Sequence, residues 1–298
     1  MRIVAVFAAL IGGAAGTGWL VAGALGAVIA GAAALLASVS LYRSLSRCAA
    51  RCVLHLAGAY PIARDVAPDL YRLVERLAAQ AGRPGTAPRL YWLPGGAPNA
   101  LATGRDLAHA ALALAPDLPA LLDRDELAGL LARELACLTR GATRPGDSAA
   151  ALAGGLMLIA CGPAHARRLA RPEEPAREVV GQWSVHPRGG GACLRLVVAS
   201  IASGIVRAAS SAERVHAADT AGAQMLSDPL PLARALAKLA AANSTRPVCG
   251  VNPGLAHLFV VAPYIEESLR PLFSTPPSAS ARLQRLTRQA LQPAVNPG

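Results

Sequence analysis

The N-terminal forty residues constrain this chain most, because the segment from Ile3 to Tyr42 contains no charged side chain. One helix needs about 20 residues to cross the hydrocarbon core of a bilayer. The segment can therefore hold two short spans, or one long span and an interfacial piece. Its glycines between residues 12 and 18 offer a turn between Ile3–Ala15 and Trp19–Leu41. We expect residues 1–42 to form an N-terminal transmembrane hairpin.

Basic residues set the expected orientation of this hairpin. Arg43, Arg47 and Arg51 follow the apolar segment directly, and cytoplasmic flanks carry the excess of arginine and lysine. The apolar segment is also too long for a cleavable signal peptide. We expect a multi-pass protein of a bacterial-type cytoplasmic (inner) membrane, with the lipid bilayer as a partner and the rest of the chain facing the cytoplasm.

A second apolar pair follows within residues 147–207. Ser148–Ala166 is long enough to span but contains glycines and a proline, and Gly189–Val206 is interrupted by Arg195. The loop between them carries Arg167, Arg168, Arg171 and Arg177, which the positive-inside rule would not place outside. Two full spans, a re-entrant pair and soluble core helices all remain open for this region.

Composition narrows the range of partners. Hydrophobic residues make up 53% of the chain, aromatic residues only 4%, and the formal net charge is +11. We interpret this charge as attraction to anionic lipid headgroups or as compositional bias, and we expect no nucleic-acid partner. The six cysteines form no C-x-x-C pair, so neither a zinc ribbon nor a thioredoxin-like site is indicated.

The remaining segments predict helices around a small β-sheet. Residues 43–146 and 208–298 would form the two parts of this domain, on either side of the second apolar pair. Apolar periodicity and turn residues place the elements. The predicted helices are Ala67–Ala81, Leu121–Arg140, Ser211–Gln224, Asp228–Leu239 and Ala279–Leu291, and the predicted strands are Arg89–Leu93, Asn99–Thr103 and Ala110–Leu114, with His257–Val261 as a strand or buried turn.

Two of these helices carry charged residues whose exposure to solvent can be predicted from the sequence pattern. In Leu121–Arg140, Asp123 and Glu126 fit a capping box, and a leucine stripe predicts one buried face. If it is an ordinary amphipathic helix, Glu134 lies in solvent. In the terminal helix, Arg282, Arg285 and Arg288 form a stripe that is typical of a solvated face.

Leu121–Arg140 also resembles a zinc-peptidase helix from which both histidines are missing. The motif H-E-x-x-H places two imidazoles one turn apart, with a glutamate beside them as general base. The corresponding residues here are Arg133, Glu134 and Cys137. The base position is kept, whereas the two ligand positions are not.

Four segments together make the chain resemble the HtpX-type membrane zinc metallopeptidases, relatives of the CAAX prenyl proteases. The resemblance runs over almost the whole length, and it implies a gluzincin-type fold, mainly α with a small β-sheet, anchored by N-terminal transmembrane helices. It also implies zinc-dependent endopeptidase activity in membrane-protein quality control. The segments, in order, are Ala97–Asp106, Leu121–Leu138, Glu213–Ala223 and His257–Pro277.

The departures from this family concern the metal. The resemblance places its two histidine ligands at Arg133 and Cys137 and its glutamate ligand at Val215, while Asp219, the aspartate of the family's E-x-x-x-D pattern, is kept. Pro276 stands where the family has a histidine, and Arg140 stands where it has a polar residue.

Zinc chemistry is hard to reconcile with these substitutions. A catalytic zinc needs about three protein donors and an open position for water. Arginine stays protonated and valine has no donor, so we expect no cofactor, with zinc only if the protein is an active peptidase. We expect a salt bridge from Arg133 to Asp219 in place of the metal. A rearranged site using Cys137 and His216 with Glu134 and Asp219 is the alternative.

Three functions follow from the sequence. The first is an inactive pseudoprotease that acts as a peptide-binding, protein-binding or regulatory membrane subunit. Its candidate groove is a free strand edge, which could bind an extended peptide by strand addition. The second is an active zinc endopeptidase, and the third is a purely structural membrane protein. The residues of the candidate groove are Asn99, Ala100, Leu101, Ala102 and Thr103.

Overall fold

A computed structural model describes residues 2–94, 98–141, 143–161, 192–245, 252–262, 273 and 277–291. The fold is mainly helical with a small mixed sheet, which confirms the fold class expected from the sequence. The helices are α1 (Arg2–Leu56), α2 (Pro68–Gln80), α3 (Leu118–Leu121), α4 (Arg124–Thr139), α5 (Thr143–Cys161), α6 (Ala192–Ala209), α7 (Ala212–Met225), α8 (Leu230–Thr245) and α9 (Ala279–Leu291). The strands are β1 (Tyr60–Pro61), β2 (Arg89–Trp92), β3 (Ala100–Gly104) and β4 (Ala110–Leu114).

Helix α1 is broken at Ala22 and Gly23, where the backbone leaves helical geometry and Gly23 has a φ of 62°. The chain folds back at this point and brings Gly18 of the first arm against Gly26 of the second, with no room for a side chain between them. Small residues let two apolar helices approach this closely. The turn therefore lies after the glycines at 12–18, where the sequence predicted it. Gly18 lies on the first arm instead, where its lack of a side chain lets the two arms approach each other.

The N-terminal helix is the part of the described chain suited to a bilayer. Ile11–Ser40 is long and apolar enough to cross a membrane, and 6% of its most apolar stretch is buried inside the protein. Large side chains such as Leu20, Val21 and Leu36 are exposed. Their hydrophobic surface would be costly in water and is suited to lipid.

The second apolar pair packs as a helical layer beside α1. Ala153 and Met157 of α5 are buried against Ala199, Ala202 and Val206 of α6. Among the residues described, Ile11–Ser40 is the one helical segment both long and apolar enough to be a candidate span by length and composition. The arginine-rich loop of this pair, and with it the question of full spans, lies outside the described residues.

The sheet has the strand order β1-β2-β4-β3. β2 and β4 are parallel, whereas β1 pairs with β2 and β3 pairs with β4 in antiparallel fashion. The two-residue strand β1 was not predicted, since it is too short to show an alternating pattern. Every residue of β3 and β4 is buried, so this side of the sheet lies in the core.

The outer edge of β3 is covered by the chain itself. Leu101 forms an antiparallel bridge with Phe259, and the Val260 amide donates to the Ala100 carbonyl at 3.0 Å. Asn99 exchanges two hydrogen bonds with the Val261 backbone, of 2.7 and 3.3 Å. Of the predicted open groove along Asn99, Ala100, Leu101, Ala102 and Thr103, the first three residues are therefore covered by residues 259–261. At Ala102 and Thr103 the groove stays a prediction.

Helix α4 runs through the centre of the domain. Asp123 and Glu126 form the predicted capping box, and Gly141 ends the helix with a φ of 63°. The helix is buried on nearly all sides, against the sheet, α2, α7 and α8. Glu134 is 1% exposed, so the interpretation of α4 as an ordinary amphipathic helix with a solvated Glu134 is wrong.

The crossing of α4 and α7 depends on a glycine. A Cβ atom added at Gly222 would lie 2.5 Å from the Cα atom of Arg133. The two backbones therefore touch, and this contact brings the side chains of the two helices together around one point.

We predict that Gly222→Ala lowers the free energy of unfolding by about 1–3 kcal/mol or more, because the added methyl group forces α4 and α7 apart. Gly204→Ala is the matched control, since Gly204 is an exposed helical glycine with open space around it. Alanine there should raise stability slightly. Thermal unfolding of both variants in detergent tests this, and equal melting temperatures would contradict the close contact.

Candidate functional site

A small cleft of about 90 Å³ opens where α4, the start of α5, the start of α7 and a 3₁₀ turn (Pro253–Leu258) meet. Arg133, Cys137 and Val215 line it together with Glu134. The three positions that the resemblance assigns to metal ligands thus lie around one space. The other lining residues are Ala102, Thr143, Gly146, Ala209, Ser210, Ser211, Arg214, His257 and Leu258.

The floor of this cleft holds a buried ion pair. The Arg133 guanidinium bonds to Glu134, the neighbouring residue on α4, and its Nε atom lies 3.4 Å from Oδ1 of Asp219 on α7. Burial alone would lower the pKa of this guanidinium, but Cys137 and the two carboxylates outweigh it and raise the pKa above its ordinary value. Arg133 is therefore charged and bridges α4 to α7, as expected from the sequence.

Asp219 has a second and better partner that the sequence reasoning missed. Arg282 of α9 donates from Nε to Oδ2 and from a terminal nitrogen to Oδ1, both at 2.7 Å, in the bidentate geometry that binds carboxylates most strongly. Arg282 is 3% exposed and also bonds to the Val260 carbonyl. The prediction of a solvated arginine stripe on α9 is wrong at this position.

A signal for Arg282 was present in the sequence. It lies four residues before Leu286, so both side chains share one face of α9, and Leu286 is buried in the main core. Because the two residues share this face, Arg282 also lies on the side of α9 that packs against the core. Arg285 and Arg288, by contrast, are exposed as predicted.

These four side chains form a network, which we call the ion-pair quartet: Arg133, Glu134, Asp219 and Arg282. Two cations balance two carboxylates, and all four are buried. A buried charge is tolerated when it is paired and hydrogen-bonded. The quartet joins α4, α7 and α9 to one another, and through Val260 it also holds the segment that covers β3.

Cys137 and His257, two further titratable groups of the cleft, are neutral near neutral pH. Burial raises the pKa of the Cys137 thiol to about 11, with Arg133 as the main opposing influence. Burial likewise lowers the pKa of His257 to about 4. His216, which lies one position along α7 from Val215, is not among the described residues that line the cleft. The rearranged site with His216 stays a prediction.

Asp147 at the start of α5 is a buried carboxyl next to the cleft-lining residues Thr143 and Gly146. It accepts a hydrogen bond from the Gly104 amide at 2.7 Å, while Thr143 donates to the Gly104 carbonyl at 2.7 Å. These bonds fix the end of β3 to α5. Burial raises the pKa of Asp147 to about 7.

Comparison with known proteins gives a consistent result. Residues 65–290 match Peptidase family M48. A protease HtpX homologue of Syntrophobacter fumaroxidans is 38% identical over 93% of this chain and 92% of its own length. The homologue of Thermococcus kodakarensis is 37% identical over 75% of this chain and 74% of its own, and that of Pyrococcus furiosus is 34% identical over 96% and 94%. No solved structure matches the chain significantly.

We predict that Arg282→Gln destabilises the protein by about 3–5 kcal/mol, because it leaves the Asp219 carboxylate short of its bidentate partner in a buried site. Arg285→Gln, on the exposed face of the same helix, should change stability by less than about 0.5 kcal/mol. Denaturant unfolding of the two variants measures this. Similar losses for both would mean that Arg282 contributes no more than a surface arginine.

The raised pKa of Asp147 predicts that the free energy of unfolding depends on pH. Because its pKa is raised from 3.8 to about 7 in the folded state, the folded protein holds a proton there that the unfolded chain releases between these values. The free energy of unfolding therefore falls as pH rises through this interval. Asp147→Asn stays neutral and can still accept the Gly104 bond.

The Asp147→Asn variant should accordingly exceed the parent in stability at pH 8, by about 1–4 kcal/mol, with a smaller difference at pH 5.5. Asp65→Asn, an exposed carboxyl in a loop, provides the control and should show no such trend. Melting curves at the two pH values decide the matter. A gain that is independent of pH would exclude titration of Asp147 as its cause.

Proposed function

The chain belongs to peptidase family M48, and from that premise we propose that it is a catalytically inactive homologue of the HtpX proteases. Its role is that of a peptide-binding, protein-binding or regulatory subunit of the membrane. Members of this family are typically zinc-dependent, so the proposal depends on what the residues at the metal site can do.

The observation that carries the proposal is the position of the Arg133 guanidinium. It lies between Glu134 and Asp219 and bonds to both. In the family pattern the same space is enclosed by residues that bind zinc and by the glutamate that acts on its water. A fixed positive charge here repels a divalent cation and satisfies the carboxylates that would otherwise attract one.

The donor set does not fit zinc. Of the three ligand positions, Arg133 and Val215 offer no lone pair, and Cys137 would have to lose a proton that burial holds tightly. Asp219 is engaged on both oxygens by Arg282. One thiol cannot replace the three ligands that a catalytic zinc requires.

Glu134 consequently has a different role in this protein from that of a general base. A general base in this type of site acts on a metal-bound water whose pKa has been lowered. Without such a water, Glu134 serves as the counterion of Arg133, within the ion-pair quartet. Glu134 is thus a structural residue, and we assign no catalytic step to it.

The exposed apolar surface of α1 supports a location in the membrane, as does the similarity to HtpX homologues. We propose a multi-pass protein of the inner membrane whose peptidase-like domain faces the cytoplasm. The fold-back of α1 at Gly23 supports a hairpin with both ends on one side. The apolar length of each arm sets how deeply the hairpin extends into the bilayer.

A second candidate, a purely structural membrane protein, is favoured by one observation. The edge of β3 is occupied by residues 259–261, so strand addition of a peptide is not available there. The cleft beside Ala102 remains open, however, and the binding role is therefore assigned to the cleft and not to the strand.

We predict that the purified protein carries less than about 0.1 zinc per chain and that its activity on unfolded casein is at background. The informative variant is the triple substitution Arg133→His, Cys137→His and Val215→Glu, which restores the three ligands of the family pattern. Because the three positions line one cleft, this variant should bind about one zinc per chain. Elemental analysis after dialysis measures both.

Glu134→Gln is the matched control for activity, since it removes the base position and keeps the size of the side chain. It should leave the background rate unchanged in the parent protein. Stoichiometric zinc in the parent, lost on Cys137→Ala, together with proteolysis lost on Glu134→Gln, would establish an active endopeptidase instead.

A further inference from the structure

Arg214 differs from the other two arginines of the cleft region. It lies in the first turn of α7, lines the cleft, and bonds to the Ala209 carbonyl. No carboxylate of the described residues lies within salt-bridge distance of it, whereas Arg133 and Arg282 both contact Asp219. Burial lowers the pKa of Arg214, as expected for a cation that has lost water without gaining a counterion.

The charges around the cleft therefore do not cancel. The ion-pair quartet is neutral in sum, Cys137 is protonated and His257 is uncharged near neutral pH. Arg214 adds one positive charge to this neutral floor. An excess of one charge at the mouth of a small cleft attracts a monoanion.

Further hydrogen-bonding capacity surrounds Arg214. Ser211, the N-cap residue of α7, lines the cleft and makes no capping hydrogen bond with its side chain. Its hydroxyl is thus available to a ligand.

The shape of the site limits how a peptide can enter. The cleft has a volume of about 90 Å³ and is open to solvent on one side, so it can admit a carboxylate group together with the residue that bears it. An extended chain cannot continue along β3, because Phe259 and Val260 occupy that edge. The end of a peptide fits this arrangement better than an internal segment that extends along the strand.

We propose that the cleft binds the C-terminal carboxylate of a peptide through Arg214, with Ser211 as an additional donor. This assignment rests on the proposed function, since it names the ligand of the binding site that replaces the metal centre. A guanidinium binds a carboxylate by two parallel, charge-assisted hydrogen bonds. Arg214 recognises the charge of the chain end, and the open side of the cleft accommodates the preceding residues.

The test uses the full-length protein in detergent and three fluorescein-labelled peptides. The first is Gly-Ala-Ala-Ala with a free carboxylate, the second is the same peptide as an amide, and the third is Gly-Ala-Glu-Ala as an amide. Fluorescence polarisation should detect binding of the first at least about tenfold tighter than the other two. This factor corresponds to one charge-assisted interaction.

Variants of the protein separate recognition from folding. Arg214→Gln should weaken binding of the free-acid peptide about tenfold or more, and Arg214→Lys should weaken it less, because the charge is retained without the fork geometry. Arg285→Gln, an exposed arginine on α9, should bind as the parent does. Melting temperatures show that each variant is folded.

Each other outcome overturns the proposal. Equal binding of acid and amide, or no loss in Arg214→Gln, would exclude a role for Arg214 in recognising the carboxylate. Tighter binding of the acidic side chain, or competition by inorganic phosphate but not by acetate, would assign the cleft to another anion. Zinc content is measured on the same preparation, so that an active metalloprotein and a failed carboxylate site give different results.

Discussion

The carboxylate of Asp219 is the group on which the rest of this site depends. It is buried and receives Arg282 on both oxygens and Arg133 on one. Buried charges are stable only as a complete set, because removal of one partner leaves another without compensation. Since Glu134 completes the charge balance, removal of any one of the four residues would leave a buried charge without its partner. Their shared requirement fixes the relative positions of α4, α7 and α9.

This constraint extends to the sheet and to the cleft. Arg282 also bonds to Val260, whose amide closes the edge of β3, so the ion pairs and the covering of the strand form one connected unit. A metal centre would need the same space, the same carboxylates and an accessible substrate strand. What remains is a small cleft. Arg214 gives it a positive charge that no carboxylate of the described residues balances.

The sequence predicted the helices, the capping box of α4 and the pairing of Arg133 with Asp219, because these follow from periodicity and from motif spacing. It did not reveal the closed edge of β3, since the bridge between Leu101 and Phe259 joins residues far apart in the chain. It also misplaced the turn of α1, which depends on contacts between its arms. Arg282 was predicted to be solvated because a stripe of arginines more often is. Its spacing from Leu286, which places both residues on one face of α9, indicated otherwise.

The central claim is that ion pairs, and not a metal ion, hold the cleft together. Thermal unfolding of the purified protein with added zinc, and again with a chelator, tests it most directly, because a ligand bound to the folded state alone raises the melting temperature. The account predicts the same melting temperature under both conditions. A rise of several degrees with equimolar zinc, reversed by the chelator, would contradict it.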